Sequence, residues 1–235
     1  MTKPEFTSIN VIIDASGSMS GLRNDTIGSF NTFLKEQKEV PGEAVFTLCT
    51  FNDEATIVHD FVKIADVSNL DHRSYYTSGN TALLDALGST IDSVGRKLAA
   101  LPEEERPNKV IVLVQTDGHE NASKTYTKDQ IKSMVEHQQN VYSWSFVFVG
   151  ANIDAITAGT SLGFTASNSV GYTATKGGTH SLYSSISTNT SALRSSKLTS
   201  TADFFGQTGV TPTSPATPVV PTTPATPNTD NNSNK

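Results

Sequence analysis

The chain has 235 residues, 36% of them hydrophobic, and a formal net charge of −6. That length fits one large domain, or one domain with a tail. The acidic balance and the lack of a long basic run argue against nucleic-acid binding by phosphate neutralisation, and a single cysteine, Cys49, excludes an internal disulfide.

The opening residues, MTKPEFTSINVII, read as a strand over Phe6–Ile13 rather than as a signal peptide, because they lack a long apolar core. No apolar run approaches the ~20 residues that cross a bilayer. Both points predict a cytoplasmic protein. A helix is expected through Leu22–Val40, with Ile27, Phe30 and Leu34 on one face. Ala44–Phe51 reads as a strand, NDEA as a tight turn, and Thr56–Ile64 as an antiparallel edge strand. Residues 65–80 are loop-like. The strongest helical pattern follows: Leu84, Leu87, Ile91, Val94, Leu98 and Leu101 step by three and four, and Pro102 ends it.

Lys109–Thr116 contains an unbroken apolar run, as expected of a parallel strand covered on both faces. A helix is expected around Thr127–Gln139, a strand over VYSWSFVFVG, and a short helix in NIDAITAGTSLG. Phe164–Tyr172 reads as a weak last strand. Ser181–Leu198 reads as a Ser/Thr-rich helix with a thin stripe of Leu182, Ile186 and Leu193. After Phe205 the composition turns Pro/Thr-rich, then Asn-rich, with too few bulky apolar side chains to offset ordering entropy. Residues 1–205 are therefore taken as the domain and 206–235 as a disordered tail. The alternation predicts an α/β fold: a doubly wound, mostly parallel central sheet with one antiparallel edge strand and helices on both faces.

In such folds ligands gather beyond the carboxyl ends of the strands. The first strand ends there in Asp14, followed by Ser16 and Ser18 in VIIDASGSMSG. The edge strand runs down, so the loop 65–80 must climb back, and its residues can span about 50 Å when extended. It delivers Thr81 to the same end. The next strand rises to Asp117. Asp14, Ser16, Ser18, Thr81 and Asp117 all offer oxygen, which suits a hard cation: Mg²⁺, Mn²⁺ or Ca²⁺. Only two are charged, so a bound dication stays Lewis-acidic toward an acidic side chain of a partner. The same residues also have ordinary explanations. Serine and aspartate cap helices, Thr81 precedes one, and TDG is a common turn.

DASGSMSG matches the Asp-x-Ser-x-Ser motif of von Willebrand factor A (vWA) domains. GNTALLDAL resembles their threonine loop, and TDG their second aspartate. Together these resemble a metal-ion-dependent adhesion site (MIDAS), over about residues 6–200. The resemblance implies a Rossmann-like vWA fold of the stand-alone bacterial or phage type. It implies direct metal ligation by Ser16 and Ser18. Asp14 and Asp117 would act directly or through water, and Thr81 directly or water-bridged. No motif position is substituted. His119 and Glu120, close behind Asp117, are candidates for a ligand rim.

Catalysis is not expected. Ser16 stands where an aspartyl phosphatase carries its second acid, and no Walker loop or Gly-x-Ser-x-Gly elbow is present. A triad of Ser16 or Ser18 with His119 would need hydroxyls free of metal. The reading is a metal-dependent protein-binding module whose partner offers an Asp or Glu carboxylate, with no nucleic acid and no membrane. The oligomeric state stays open. Two alternatives use metal for stability only: a structural or assembly component, for instance of a phage particle, or an accessory subunit of an ATPase or metal-stress system.

Overall fold

Hydrophobic alternation along the strands sorts the chain into three layers. The computed structural model describes residues 1–195 and 204–205. The strands are β1 (Lys3–Asp14), β2 (Glu43–Phe51), β3 (Ala55–Lys63), β4 (Pro107–Thr116), β5 (Ser145–Ala151) and β6 (Ser169–Tyr172). They form one sheet in the order β3-β2-β1-β4-β5-β6. Every pairing is parallel except β2 with β3, at the edge. The helices are α1 (Arg23–Glu39), α2 (Leu83–Ala100), α3 (Lys128–Tyr142), α4 (Ala155–Ser161) and α5 (Lys176–Ser195).

Successive strand residues face opposite ways. In β1, Ile9, Val11 and Ile13 join one core with Phe30 and Phe33 of α1 and Leu182 and Ile186 of α5. Ile12 joins the other, with Leu87, Ile91 and Val94 of α2 and Ile131 and Val135 of α3. The apolar run of β4 divides likewise, Ile111 and Leu113 to the first core and Val110, Val112 and Val114 to the second. Helices thus cover both faces, as expected. Cys49 lies wholly inside, and burial pushes its thiol up to about 11; it packs as a small hydrophobe.

Three boundaries differ from expectation. Val141 and Tyr142 belong to α3, not to a strand, and both are exposed. A capping box of Thr127 and Gln130 starts that helix, and Ser143, left-handed at φ 56°, ends it. The run after Phe164 is not strand: Ala166–Asn168 form a 3₁₀ turn, and only Ser169–Tyr172 pair with β5. Phe164 instead packs edge-on against Phe146 and Phe148. Finally, α5 begins at Lys176, earlier than its stripe suggests. Small polar residues complete its buried face, among them Ser185, Ser187 and Thr190. Gln37 of α1 donates from Nε2 to the Ser187 carbonyl (3.1 Å) and to Ser191 Oγ (2.9 Å). The expected tail 206–235 and the expected helix end at Leu198 lie outside the described residues. Among the described residues no helix is long and apolar enough to cross a membrane.

The chain order positions the site. From β1 the chain steps outward to β2 and β3, then crosses to β4 on the other flank of β1. The crevice opens at this switch point. Ile13 lies opposite Gln115 in register, so the last residue of β1, Asp14, sits beside Thr116.

Candidate metal centre

Three loops meet above β1 and β4. The first begins at Asp14, which is fully buried. Its Oδ1 accepts from the Ser16 amide (2.7 Å) and its Oδ2 from Thr116 Oγ1 (2.6 Å). Ser16 Oγ stands 3.0 Å from Ser18 Oγ, and Ser18 Oγ donates to Asp117 Oδ1 at 2.6 Å. Those last two residues are 99 positions apart. The loop before α2 comes in between. Ser78 N–H donates to the Ala15 carbonyl (2.8 Å), and Gly17 N–H to the Gly79 carbonyl (3.1 Å). Thr81 follows, buried, with its Oγ1 3.7 Å from the position a Cβ on Gly118 would take. All five predicted oxygen donors therefore share one end of the sheet. Asp14, Ser16, Ser18 and Asp117 form one hydrogen-bonded cluster, and Thr81 faces the backbone next to Asp117.

Capping does not account for these residues. Ser16 precedes the 3₁₀ turn Gly17–Leu22, but its side chain makes no cap hydrogen bond. α2 also begins without a side-chain cap at its N-cap residue, Ala82. Its first free amides are served from elsewhere: Leu84 N–H donates to Glu120 Oε2 (2.9 Å) and Asp85 N–H to Ser123 Oγ (3.0 Å). The hydroxyls of Ser16, Ser18 and Thr81 are thus not consumed in starting helices.

The electrostatics favour a cation. Asp14 and Asp117 are both buried, and among the described residues no ion pair reaches either carboxylate. Burial raises the Asp14 carboxyl above its ordinary value; hydrogen bonds from Thr116 and Ser16 oppose this, and the charge of Asp117 adds to it. Two such carboxylates side by side are costly without a counter-charge. The donor set is all oxygen, and among the described residues no group of three or more His, Cys, Asp and Glu side chains forms a metal cluster. An all-oxygen donor set is the kind that hard cations prefer. Adjacent ligands of an octahedral Mg²⁺ lie about 3.0 Å apart, given metal–oxygen bonds of ~2.1 Å. The 3.0 Å contact of Ser16 Oγ with Ser18 Oγ has that edge length, and the Ser18–Asp117 hydrogen bond at 2.6 Å is shorter. The residues present fit a divalent cation.

The two rim candidates separate. His119 is exposed at the mouth. Glu120 turns inward: besides Leu84 N–H, its carboxylate accepts from Ala122 N–H (2.9 Å), Ser123 N–H (2.7 Å) and Ser123 Oγ (2.8 Å). It ties the Asp117 loop to α2. Sequence reasoning also passed over the supporting residues. Tyr75, wholly buried in the 65–80 loop, donates its hydroxyl to the Asp14 carbonyl (2.6 Å). Asn121 Oδ1 accepts from Thr81 N–H (2.8 Å). Asp53 Oδ1 accepts from the Asn80 amide (3.2 Å) and its Nδ2 (2.6 Å). None of these follows a period. Asn80 and Asn121 lie close in sequence to Thr81 and Asp117, whereas Tyr75 and Asp53 reach the site only through the fold.

Gly79 makes the threonine loop possible. Its φ is +71°, and an added Cβ would fall 1.9 Å from Asp53 Oδ2. Gly79→Ala is expected to cost about 2 kcal/mol of stability and to weaken metal binding by shifting Thr81. Urea melts and calorimetric Mg²⁺ titration check both.

Solved structures with the same architecture decide the fold. A proximal thread matrix protein from the mussel byssus matches at TM-score 0.55 and 16% identity, over 81% of this chain and 46% of its own. A von Willebrand factor type A protein from Catenulispora acidiphila matches at TM-score 0.51 and 13% identity, over 81% and 43%. The chain has the vWA fold. The mussel protein with a zinc-occupied MIDAS motif also matches, at TM-score 0.54 and 17% identity, over 79% of this chain and 46% of that one. The chain thus spans under half the length of these vWA-type structures. No family model matches the sequence, and no curated protein matches it.

Proposed function

We propose that this vWA domain is a non-catalytic, divalent-metal-dependent protein-binding module. Asp14, Ser16, Ser18, Thr81 and Asp117 would hold the cation, Mg²⁺ in a cytoplasmic setting and Mn²⁺ or Ca²⁺ as substitutes. When bound, the cation supplies a Lewis-acidic position that accepts an Asp or Glu carboxylate from a partner protein. The zinc-occupied MIDAS of the mussel protein supports the use of a divalent ion by this fold.

The observation that carries the reading is the exposed Ser18 hydroxyl, which bridges Ser16 and Asp117 across two loops. Oxygen donors gather there at the open end of a switch point, the place where α/β sheets bind ligands.

The test is a pull-down on the immobilised full chain, in Mg²⁺ and in EDTA, followed by Asp/Glu→Ala scanning of the retained protein. Retention that needs both Mg²⁺ and one acidic residue of the partner is expected. Retention unchanged by EDTA, with a lower melting temperature in EDTA, would instead assign the metal to stability, as in an assembly component.

A further inference from the structure

A recess of ≈ 740 Å³ opens between α2 and α3, at the end of the sheet opposite the metal centre. Pro107 and Asn108, the first residues of β4, line it, as does Trp144, which directly precedes β5. Trp144 stacks on Phe146 with ring centroids 6.1 Å apart. Tyr142, at the end of α3, is exposed, and its ring meets that of His137 edge-on at 5.6 Å. On the α2 side Gly95 leaves the space open: an added Cβ there would meet nothing within 4 Å.

The charges around the recess narrow its occupant. Arg106 donates to the Leu101 carbonyl (2.9 Å) and to the Ala99 carbonyl (3.2 Å). Asp92 accepts from the Tyr126 hydroxyl (2.6 Å), and Glu103 pairs with the Met1 ammonium (2.8 Å). Arg96 is exposed, and among the described residues no ion pair includes it. The two arginines balance the two carboxylates. The recess therefore suits an uncharged occupant that offers apolar rings to the aromatics and carbonyl oxygens to a guanidinium.

The chain carries such a segment. Pro212, Pro215, Pro218, Pro221, Pro224 and Pro227 recur at every third residue, and no charged residue stands between Phe205 and Asp230. At three residues per turn, a polyproline II helix places prolines of that period along one edge and leaves its backbone carbonyls unpaired. Aromatic-lined grooves recognise helices of this kind. The chain also leaves the domain near the recess. Phe204 and Phe205 are buried, and Phe204 N–H donates to Oδ1 of Asn168 (2.6 Å), which directly precedes β6. The neighbouring Ser169 pairs with Phe148, four residues past Trp144, or about 13 Å along the strand. The chain from Phe205 to Pro212 spans up to ~24 Å when extended, enough to enter the recess.

We infer that the recess between α2 and α3 is a docking site for the chain's own proline-rich segment, residues 211–227. Proline rings pack against Tyr142 and Trp144, and Arg96 donates to the carbonyls between them. The metal centre, at the other end of the sheet, stays open while the segment is docked.

A spin label on the full chain tests this. The chain has one tryptophan and one cysteine, and the cysteine, Cys49, is buried. A nitroxide on Thr217→Cys therefore marks the segment alone, and the Trp144 indole N–H gives a single NMR signal. That signal should lose more than half its intensity with the active nitroxide, relative to the reduced label. Tenfold dilution of the isotope-labelled protein with natural-abundance chain should leave the loss unchanged. Replacing Pro215, Pro218, Pro221 and Pro224 by Ala should abolish it, as should Gly95→Phe, which fills the recess. Unchanged amide signals away from α2 and α3 show that Gly95→Phe is folded, and the proline substitutions leave residues 1–205 untouched. An unbroadened indole signal, or broadening that survives either set of substitutions, would overturn the docking site. Loss of the broadening on dilution would overturn docking within one chain.

Discussion

Mg²⁺ at a hundredfold excess over its dissociation constant should raise the melting temperature by about 5–10 °C, and Asp14→Asn should abolish that rise. The size follows from linkage. A ligand at a hundred times its dissociation constant stabilises the native state by about 2.7 kcal/mol, and each kcal/mol moves a domain of this size by about 2–4 °C. The sign follows from the site: Asp14 and Asp117 are buried together, with no ion pair among the described residues to offset them. Asn keeps an acceptor for the Ser16 amide, and Thr116 Oγ1 already contacts the Gly118 carbonyl at 3.1 Å, so its hydroxyl has a second partner. The fold should therefore tolerate the change.

Asp14 ends a central strand at the carboxyl end of the sheet and is not solvent-facing: it has no exposed surface, and its carbonyl is tied to Tyr75. Truncation to Ala would mix loss of metal with loss of these packed hydrogen bonds. Asp14→Asn separates them. Scanning calorimetry with and without metal reads the difference, and an undiminished Mg²⁺ response in Asp14→Asn would remove Asp14 from the ligand set.

Glu120→Ala should destabilise the domain by about 3 kcal/mol, since a charged acceptor of four part-buried hydrogen bonds is lost. That corresponds to a fall of about 6–12 °C in melting temperature. Its carboxylate is one half of a reciprocal brace. The other half is Asp85 in the first turn of α2, whose carboxylate accepts from the amides of Lys124 (2.8 Å), Thr125 (2.9 Å) and Tyr126 (2.9 Å). Without Glu120 the loop is held to α2 only through Asp85, at the end farther from Asp117, so Mg²⁺ affinity should fall along with stability. Unchanged metal affinity in a folded Glu120→Ala protein would show that the brace does not position Asp117.

The brace is also acid-sensitive. Partial burial works against the charge on Asp85, but the amide hydrogen bonds from Lys124, Tyr126 and Thr125 outweigh it, so its carboxyl sits below the usual range. A depressed folded value means the stabilisation is present above the unfolded carboxylate value of about 3.9 and is lost as pH falls through the folded one. Asp85→Asn should therefore melt lower than wild type at neutral pH, and the gap should close below about pH 4.

The sequence showed best where a repeating pattern met a single solvent boundary. The α2 stripe and the apolar run of β4 are of this kind, and both appear as read. It showed least in α5. There the buried face uses Ser, Thr and Asn beside Leu182, Ile186 and Leu193, and the contact with α1 is partly a hydrogen-bonded seam through Gln37. A hydropathy pattern cannot register burial of that kind. The VY pair at 141–142 misled for the opposite reason: β-favouring residues extend a helix whose start and stop are set by Thr127, Gln130 and Ser143.

By itself the sequence determined the layered α/β architecture, through periods of two and of three to four, and the kinds of oxygen donor at three strand-to-helix junctions. Only the tertiary structure decided that Ser18 meets Asp117, that the Glu120 carboxylate braces α2, and that an apolar recess adjoins Gly118. The physical reason is range. Period and capping are local properties of neighbouring residues, whereas the site is made of contacts between loops dozens of positions apart. Parallel strand register sets the spacing of those loops, and single hydrogen bonds, too specific to leave a pattern, fix their side chains.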